Sequence, residues 1–534
     1  SEVFKKNRKT DTWNLKPEYW LDKQGVKFGE GSASALIYHL PGISSIQLST
    51  KDSLLFINLD YFRDHPFIYI PFQPDGQGTW KDCSTSRYQA KSERTDSVSI
   101  YVGYVPRAVP RLMLLPGGYV AAHVFTEHAD GGERIEPNRA AYFGSESITD
   151  IGSAAGGFAG HKIPVTKSVM YCDRTGKLSD PVTEDSSAWN LKASFLDQLH
   201  ETGLYDICLH TPEELNSNRQ TLAEAIPFMK ERYNTRSWID HGMYDGDINR
   251  ECFACDGLNP ASEYYAADLW KEYDTRYFWS SAVELIRNRD RISTGGGLKN
   301  LRFGKSSESF WANHISPDRL TSLGFFRSLK EVLRHVRTKE EELNSLFPEK
   351  GESMPTPLWW EHPSCANGFY SWVTDYVKDY REFAGRNAEI SLENEIKQID
   401  RLISNRGVFL NHGYYVRGHE ILVEKNGRLV INPYFDRLLG YMQLCQEEGS
   451  LLNTTVRNLL DYWILTENVS FTFSPDGTIS LYNNNDQDIE GLSMAVKAER
   501  VFVDGAIPEM RHHENDLIFW FDMPAKTVKT IKVE

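Results

Sequence analysis

Through the first ~115 residues apolar and polar positions alternate with period two, and β-branched and aromatic residues dominate the apolar set. "SLLFINLDYF", "PFIYIPF" and "SVSIYVGYV" are the clearest runs, separated by turn-forming stretches such as "PDGQG". This pattern predicts a β-sandwich-like domain over 1–116, joined to the central region by the proline-punctuated "VPRAVPRLMLLPGG". From Tyr119 short apolar runs instead alternate with helical segments. "YVAAHVF", "IPVTKSVMY", "YDICLH", "TRSWID", "TRYFWS", "TPLWWE" and "GVFLNH" read as strands. Between them "PEELNSNRQTLAEAIPFMKERY", "PASEYYAADLWKEY" and "SLENEIKQIDRLISNRG" read as helices, the last carrying Leu392, Ile396, Ile399 and Ile403 at helical spacing and stopping at Gly407. Repeated β–α units imply a parallel sheet, and about seven of them suggest a distorted (β/α) barrel over 117–464. Residues 285–355 break the alternation and read as an insertion. After 465, "VSFTFSPDGTISLYN" has the form of a hairpin, and "DLIFWFDM" and "TVKTIKV" complete a small C-terminal β-domain over 465–534.

In a parallel barrel the chemistry sits where strands end at their C-terminal tips. The first barrel strand ends in Glu127, His128 and Asp130, and the third in His210, with Glu214 four residues on. The fourth ends in Asp240 and His241, followed by Asn249 and Glu251; the sixth ends in Glu361 and His362, and the last in Asn411 and His412. Were Pro212 to open a helix, His210 and Glu214 would share a face. Alternatively, Thr211 caps that helix and Glu214 answers its dipole. Strand after strand ending in an ionisable side chain is a costly arrangement for a core, and marks a site.

Composition narrows the partners. A net charge of −15 over 534 residues is wrong for nucleic acid. The 13 Trp and 26 Tyr suit a glycan-binding surface and equally a large β-rich core; Trp279 and Trp360 are the candidate stacking platforms, with His241, Asn249 and Glu251 as polar contacts. Seven cysteines do not form a disulfide framework. Cys252 and Cys255 make an isolated CxxC, and the others read as small buried thiols. No apolar run reaches membrane-spanning length. The chain starts at Ser1, so the absence of an export signal or anchor decides nothing; a cell-envelope or secreted setting is the expectation, with a cytoplasmic one left open. "GGGLKNLRFGKSS" lacks the spacing of a phosphate loop, and no nucleophile elbow is present.

The order of these motifs resembles the polysaccharide deacetylase superfamily over roughly residues 117–465. "HTPEE" is similar to the family's His-Ser/Thr-x-x-His at His210 and Thr211, and "FLNH" to its Leu-x-His at Leu410 and His412. "TEHAD" stands where the family has paired aspartates. The resemblance implies Glu127 as general base and His412 as general acid; Asp240, at the end of the fourth strand, is a further catalytic candidate from the strand-tip pattern. It implies a divalent metal, zinc first, held by His128, His210 and Glu214. Asp130 in place of His128, or a site that has lost its metal, are the other readings. The activity implied is metal-dependent removal of acetyl groups from a glycan. Two alternatives stand beside it: a glycoside hydrolase using Glu127 with Asp240 or Glu361, and a non-catalytic glycan-binding or assembly protein.

Overall fold

The computed structural model describes residues 18–20, 25–28, 35–38, 45–49, 54–58, 68–69, 81–82, 100–102, 108–129, 134–171, 187–212, 218–240, 256–258, 260, 265–279, 359–361, 368–372, 376–377, 380–404, 406–416, 421–474, 476–514 and 516–534. Residues 285–355, read from sequence as an insertion, lie outside this set, as do Cys252 and Cys255. The described N-terminal strands are antiparallel. Glu18–Trp20, Gly25–Phe28, Ala35–Tyr38 and Ile100–Val102 form one sheet in that order, and Ser45–Ser49 pairs with Leu54–Asn58.

The centre is a ten-stranded, mainly parallel sheet. Its strands are β1 (Ala121–Glu127), β2 (Val165–Met170), β3 (Asp206–Thr211), β4 (Ser237–Ile239), β5 (Tyr277–Trp279), β6 (Trp359–Glu361), β7 (Tyr370–Trp372), β8 (Tyr376–Val377), β9 (Val408–Gly413) and β10 (Leu451–Thr454). The spatial order is β6-β7-β5-β4-β3-β2-β1-β9-β8. One edge of β1 is shared: its first half pairs with β10 and its second half with β2. The sheet curls as a half-barrel. Trp372 of β7, the last strand of the parallel run on its side, and Tyr376 of β8 at the opposite margin are four residues apart in sequence, so their Cα atoms lie within about 14 Å.

Two sequence expectations change here. "TPLWWE" does not take the sixth parallel position; it runs antiparallel on the outside of β7, which holds that position itself. Residues 451–454 carry no strand signal of their own, yet β10 lies alongside the first half of β1.

Period-two alternation along each strand separates two cores. Ala122, Val124, Cys208, Ile239, Tyr277, Trp372, Val408 and Leu410 point inward and pack together. Phe125, Val165, Val169, Ile207, Leu209, Trp238 and Phe278 point outward beneath the helices. Those helices include α1 (Ile135–Phe143), α2 (Ser187–Glu201), α3 (Arg219–Tyr233), α4 (Ala388–Ser404) and α5 (Pro433–Glu447), whereas α6 (Val456–Glu467) packs on the inner core through Val456, Leu459, Leu460 and Trp463. In α4 Leu392 and Ile399 are buried as the spacing predicts, with Ile396 and Ile403 packed against the same core. The left-handed residue just past its end is Arg406, at φ 54°, rather than Gly407.

Beyond α6, two four-stranded antiparallel sheets pack face to face through Phe471, Ile479, Leu481 and Ile531 on one side and Leu492, Met494, Leu517 and Phe519 on the other. The predicted hairpin is one edge of this pair, with Val469 opposite Asn483 and Phe473 opposite Ile479. Arg111–Leu112, from the join preceding the barrel, supplies the outer strand of the second sheet. Among the described residues no helix is long and apolar enough to cross a membrane.

Candidate functional site at the strand tips

Strand alternation places Thr126 and His128, His210, Trp279, and His412 with Tyr414 on the inner side, above the apolar interior. There their rings meet. His128 makes an edge contact with His210 at 3.9 Å between centroids, and lies 5.1 Å from His412. His412 stacks on Trp279 at 4.2 Å and an interplanar angle of 29°. Tyr414 tilts over His128 at 4.7 Å. The three histidines and Trp279 are buried, whereas Tyr414 is half-buried at the rim.

Hydrogen bonds orient two of the imidazoles. His210 Nδ1 sits 2.8 Å from the carbonyl oxygen of Ile239, which can only accept. In neutral His210 the hydrogen is therefore on Nδ1, and Nε2 keeps the lone pair. His412 Nδ1 sits 2.8 Å from Thr126 Oγ1, directly across the β1–β9 ladder.

The helix described after Pro212 is α3, beginning at Arg219, and residues 213–217 lie outside the described residues. Asn218 caps α3, its side chain accepting from Thr221 N while Thr221 Oγ1 accepts from Asn218 N. Thr211 is the last residue of β3, so His210 is a strand residue.

Glu127 and Asp240 lie on the other side of the sheet. The Glu127 carboxylate accepts from the Tyr142 hydroxyl of α1 and pairs with Lys167 Nζ of β2 at 2.8 Å, with both members of the ion pair buried. Burial, and then the charge of Glu127, push the Tyr142 hydroxyl well above its ordinary pKa. Beside this group, Gly413 makes room for Tyr415; a Cβ at Gly413 would come within 2.4 Å of that ring. Asp240 accepts from the indole N–H of Trp238, whose ring belongs to the outer core. The expectation that Glu127 and His412 face one scissile bond is thus corrected: consecutive residues of a strand point to opposite faces, and Glu127 takes the wrong one.

Of the remaining expected site residues, Glu214, Asp130, His241, Asn249, Glu251 and His362 lie outside the described residues. For Trp360 and Glu361 the description reaches the backbone of β6. His128 and His210, two of the three expected metal ligands, are thus brought together. Among the described residues no group of three His, Cys, Asp or Glu side chains is placed to hold a metal ion. Residue type alone does not single out Thr126 and Tyr414, although counting by twos from His128 and His412 leads to both.

No protein-family model matches the chain, and no curated protein matches it. Among solved structures the chain is similar to the crystal structure of a pullulanase from Anoxybacillus sp. LM18-11, with 9% identity and a TM-score of 0.26, over 95% of this chain and 77% of that one. It is also similar to the pullulanase from that source complexed with maltotriose, with 10% identity and a TM-score of 0.22, over 96% of this chain and 77% of that one. Superpositions this loose establish neither a common fold nor a common activity.

Proposed function

We propose that the protein is a metal-assisted hydrolase that removes acetyl groups from a glycan. The observation that carries the reading is the meeting of His128, His210 and His412 at the C-terminal tips of three parallel strands, where such sheets place their chemistry. His128 and His210 are the residues that would hold the ion. The bond from His210 Nδ1 to a backbone carbonyl leaves Nε2 as the donor atom, the arrangement usual for a metal-ligating imidazole. Two imidazoles completed by a carboxylate such as Glu214 suit zinc with an open position. A divalent metal held there would polarise the acyl carbonyl and acidify a bound water.

The chain's own part is positioning and proton transfer. Trp279 holds the plane of the His412 ring, which stands beside His128 to exchange a proton with the attacking water and the leaving group. Tyr414 at the rim offers an aromatic face to a sugar ring. The glycosidase reading needs two carboxylates facing across a bond. Glu127 and Asp240 are committed to the outer layer, which weighs against their serving as that pair.

The test is acetate release from a panel of acetylated glycans with zinc supplied, with new reducing ends measured in parallel. Acetate release that His412→Asn reduces about a hundred-fold or more supports the reading. Reducing ends without acetate identify a glycosidase, and neither product identifies a binding or assembly protein.

A further inference from the structure

Thr126 Oγ1 has two neighbours across the ladder, the carbonyl oxygen of Asn411 at 3.0 Å and Nδ1 of His412 at 2.8 Å. A carbonyl oxygen only accepts, so the single hydroxyl proton is committed to Asn411. The imidazole nitrogen beside the same oxygen must then be a donor. Neutral His412 would then carry its hydrogen on Nδ1 and its lone pair on Nε2. Both residues are fully buried, and Trp279, stacked 4.2 Å away, restrains rotation of the ring.

We propose that Thr126 is a positioning residue that holds His412 in the Nδ1–H tautomer, so that Nε2 both takes and returns the proton of the hydrolytic step. The proposal rests on the reading of His412 as the proton-transfer group. With Glu127 turned to the outer layer, one nitrogen serves where the family resemblance implied a separate base and acid. The O–H bond of water breaks, its proton moves to Nε2, and the oxygen bonds to the acyl carbon. The bond from that carbon to the glycan nitrogen or oxygen then breaks, and its electron pair stays with the leaving atom. The leaving atom receives the same proton from Nε2, giving acetic acid and the free amine or hydroxyl. A hydroxyl partner fixes orientation and tautomer without adding a charge beside the ring, unlike the carboxylate that often orients a catalytic histidine.

A purely architectural Thr126, there to satisfy the end of a buried strand, would leave the tautomer alone. The two cases separate in long-range ¹H–¹⁵N spectra of the full-length protein labelled at histidine ring nitrogens. The His412 signals are assigned by their loss in His412→Asn. The expected wild-type signature is Nδ1–H with Nε2 unprotonated in the neutral ring. Thr126→Ser keeps it, and Thr126→Val shifts the ring toward Nε2–H. The valine variant should also lose about ten- to a hundred-fold in kcat for acetate release with KM held, and serine should restore it. Should valine disturb folding, Thr126→Cys supplies a weaker acceptor of similar size. A wild-type Nε2–H signature, or a tautomer that the folded variants leave unchanged, overturns the proposal. If the wild type releases no acetate while the tautomer follows residue 126 as described, the hydrolase reading falls, the tautomer assignment stands, and the catalytic role of Nε2 falls with the reading.

Discussion

Glu127 and His128 are consecutive residues whose side chains enter opposite layers of the fold. His128 joins His210, His412 and Tyr414 on the inner side, and Glu127 is fixed to Lys167 and Tyr142 on the outer side. A strand can build two polar groups in succession this way, because neighbouring side chains never share a face.

Glu127→Gln is therefore expected to act on stability first. It leaves the Lys167 ammonium buried without its counter-charge, a loss of about 3–5 kcal/mol for a broken buried pair. Glu127→Gln/Lys167→Met, which removes both charges, should regain most of it. Denaturant unfolding of the two variants measures this. A fall of a hundred-fold or more in acetate release with stability intact would instead return Glu127 to the role of base.

Replacing His128 or His210 by Asn should abolish stoichiometric zinc and leave the unfolding midpoint close to that of the wild type, because a large core and not the ion holds the sheet. Elemental analysis after chelator-free purification, paired with thermal unfolding, gives both readings. A wild-type protein free of any divalent metal after zinc is supplied would end the metal-assisted reading.

Tyr414→Ala should raise KM for the glycan about two- to ten-fold with kcat nearly unchanged, the equivalent of roughly 0.5–1.5 kcal/mol of aromatic contact. Tyr414→Phe, which keeps the ring, should match the wild type. Equal losses from both variants would locate the effect in the hydroxyl and not in stacking.

His161 lies 3.0 Å from Asp436 of α5 and 3.3 Å from Gln443, and its pKa is raised above the ordinary 6.5, chiefly by the hydrogen bond to Asp436. A group raised in the folded state adds stability that is complete below its unfolded pKa and is lost as pH climbs through the folded one. Stability from this pair should thus be full below about pH 6.5 and decline above it. In His161→Gln that segment of the profile should flatten. An unfolding midpoint with the same slope in both proteins would show that the contact does not matter to the fold.

Much of the fold is legible in the sequence because it follows from periodicity. The repeated apolar runs are the parallel strands, and Val469, Phe471 and Phe473 form the hairpin they predict. Strands too short to show a period are not legible. "TPLWWE" and Tyr370–Trp372 both supply three-residue aromatic strands, and nothing local says which of them runs parallel. β10 is hidden for another reason: "LLNT" is four residues long, and its partner lies far back in the chain. For the site, His128, His210 and His412 stand out as residues ending apolar strands, and they do meet. Glu127 stands out for the same reason and points elsewhere, because position along a strand says which end a residue occupies and only parity says which face. Thr126 and Tyr414 obey that parity and escape notice because hydroxyls and rings are common in strands.

The shared edge of β1 has a consequence for how the chain is made. On that edge Ala121–Val124 pair with Leu451–Thr454, and upstream of them Arg111–Leu112 pair with Met494 and Ala495. At a translation rate of about 5–20 residues per second, a ribosome needs on the order of tens of seconds between the first and second members of each pairing. The earliest strand of the central sheet is thus among the last to be finished, and it waits through most of synthesis with half of this edge, and the whole opposite edge that β9 takes, uncovered.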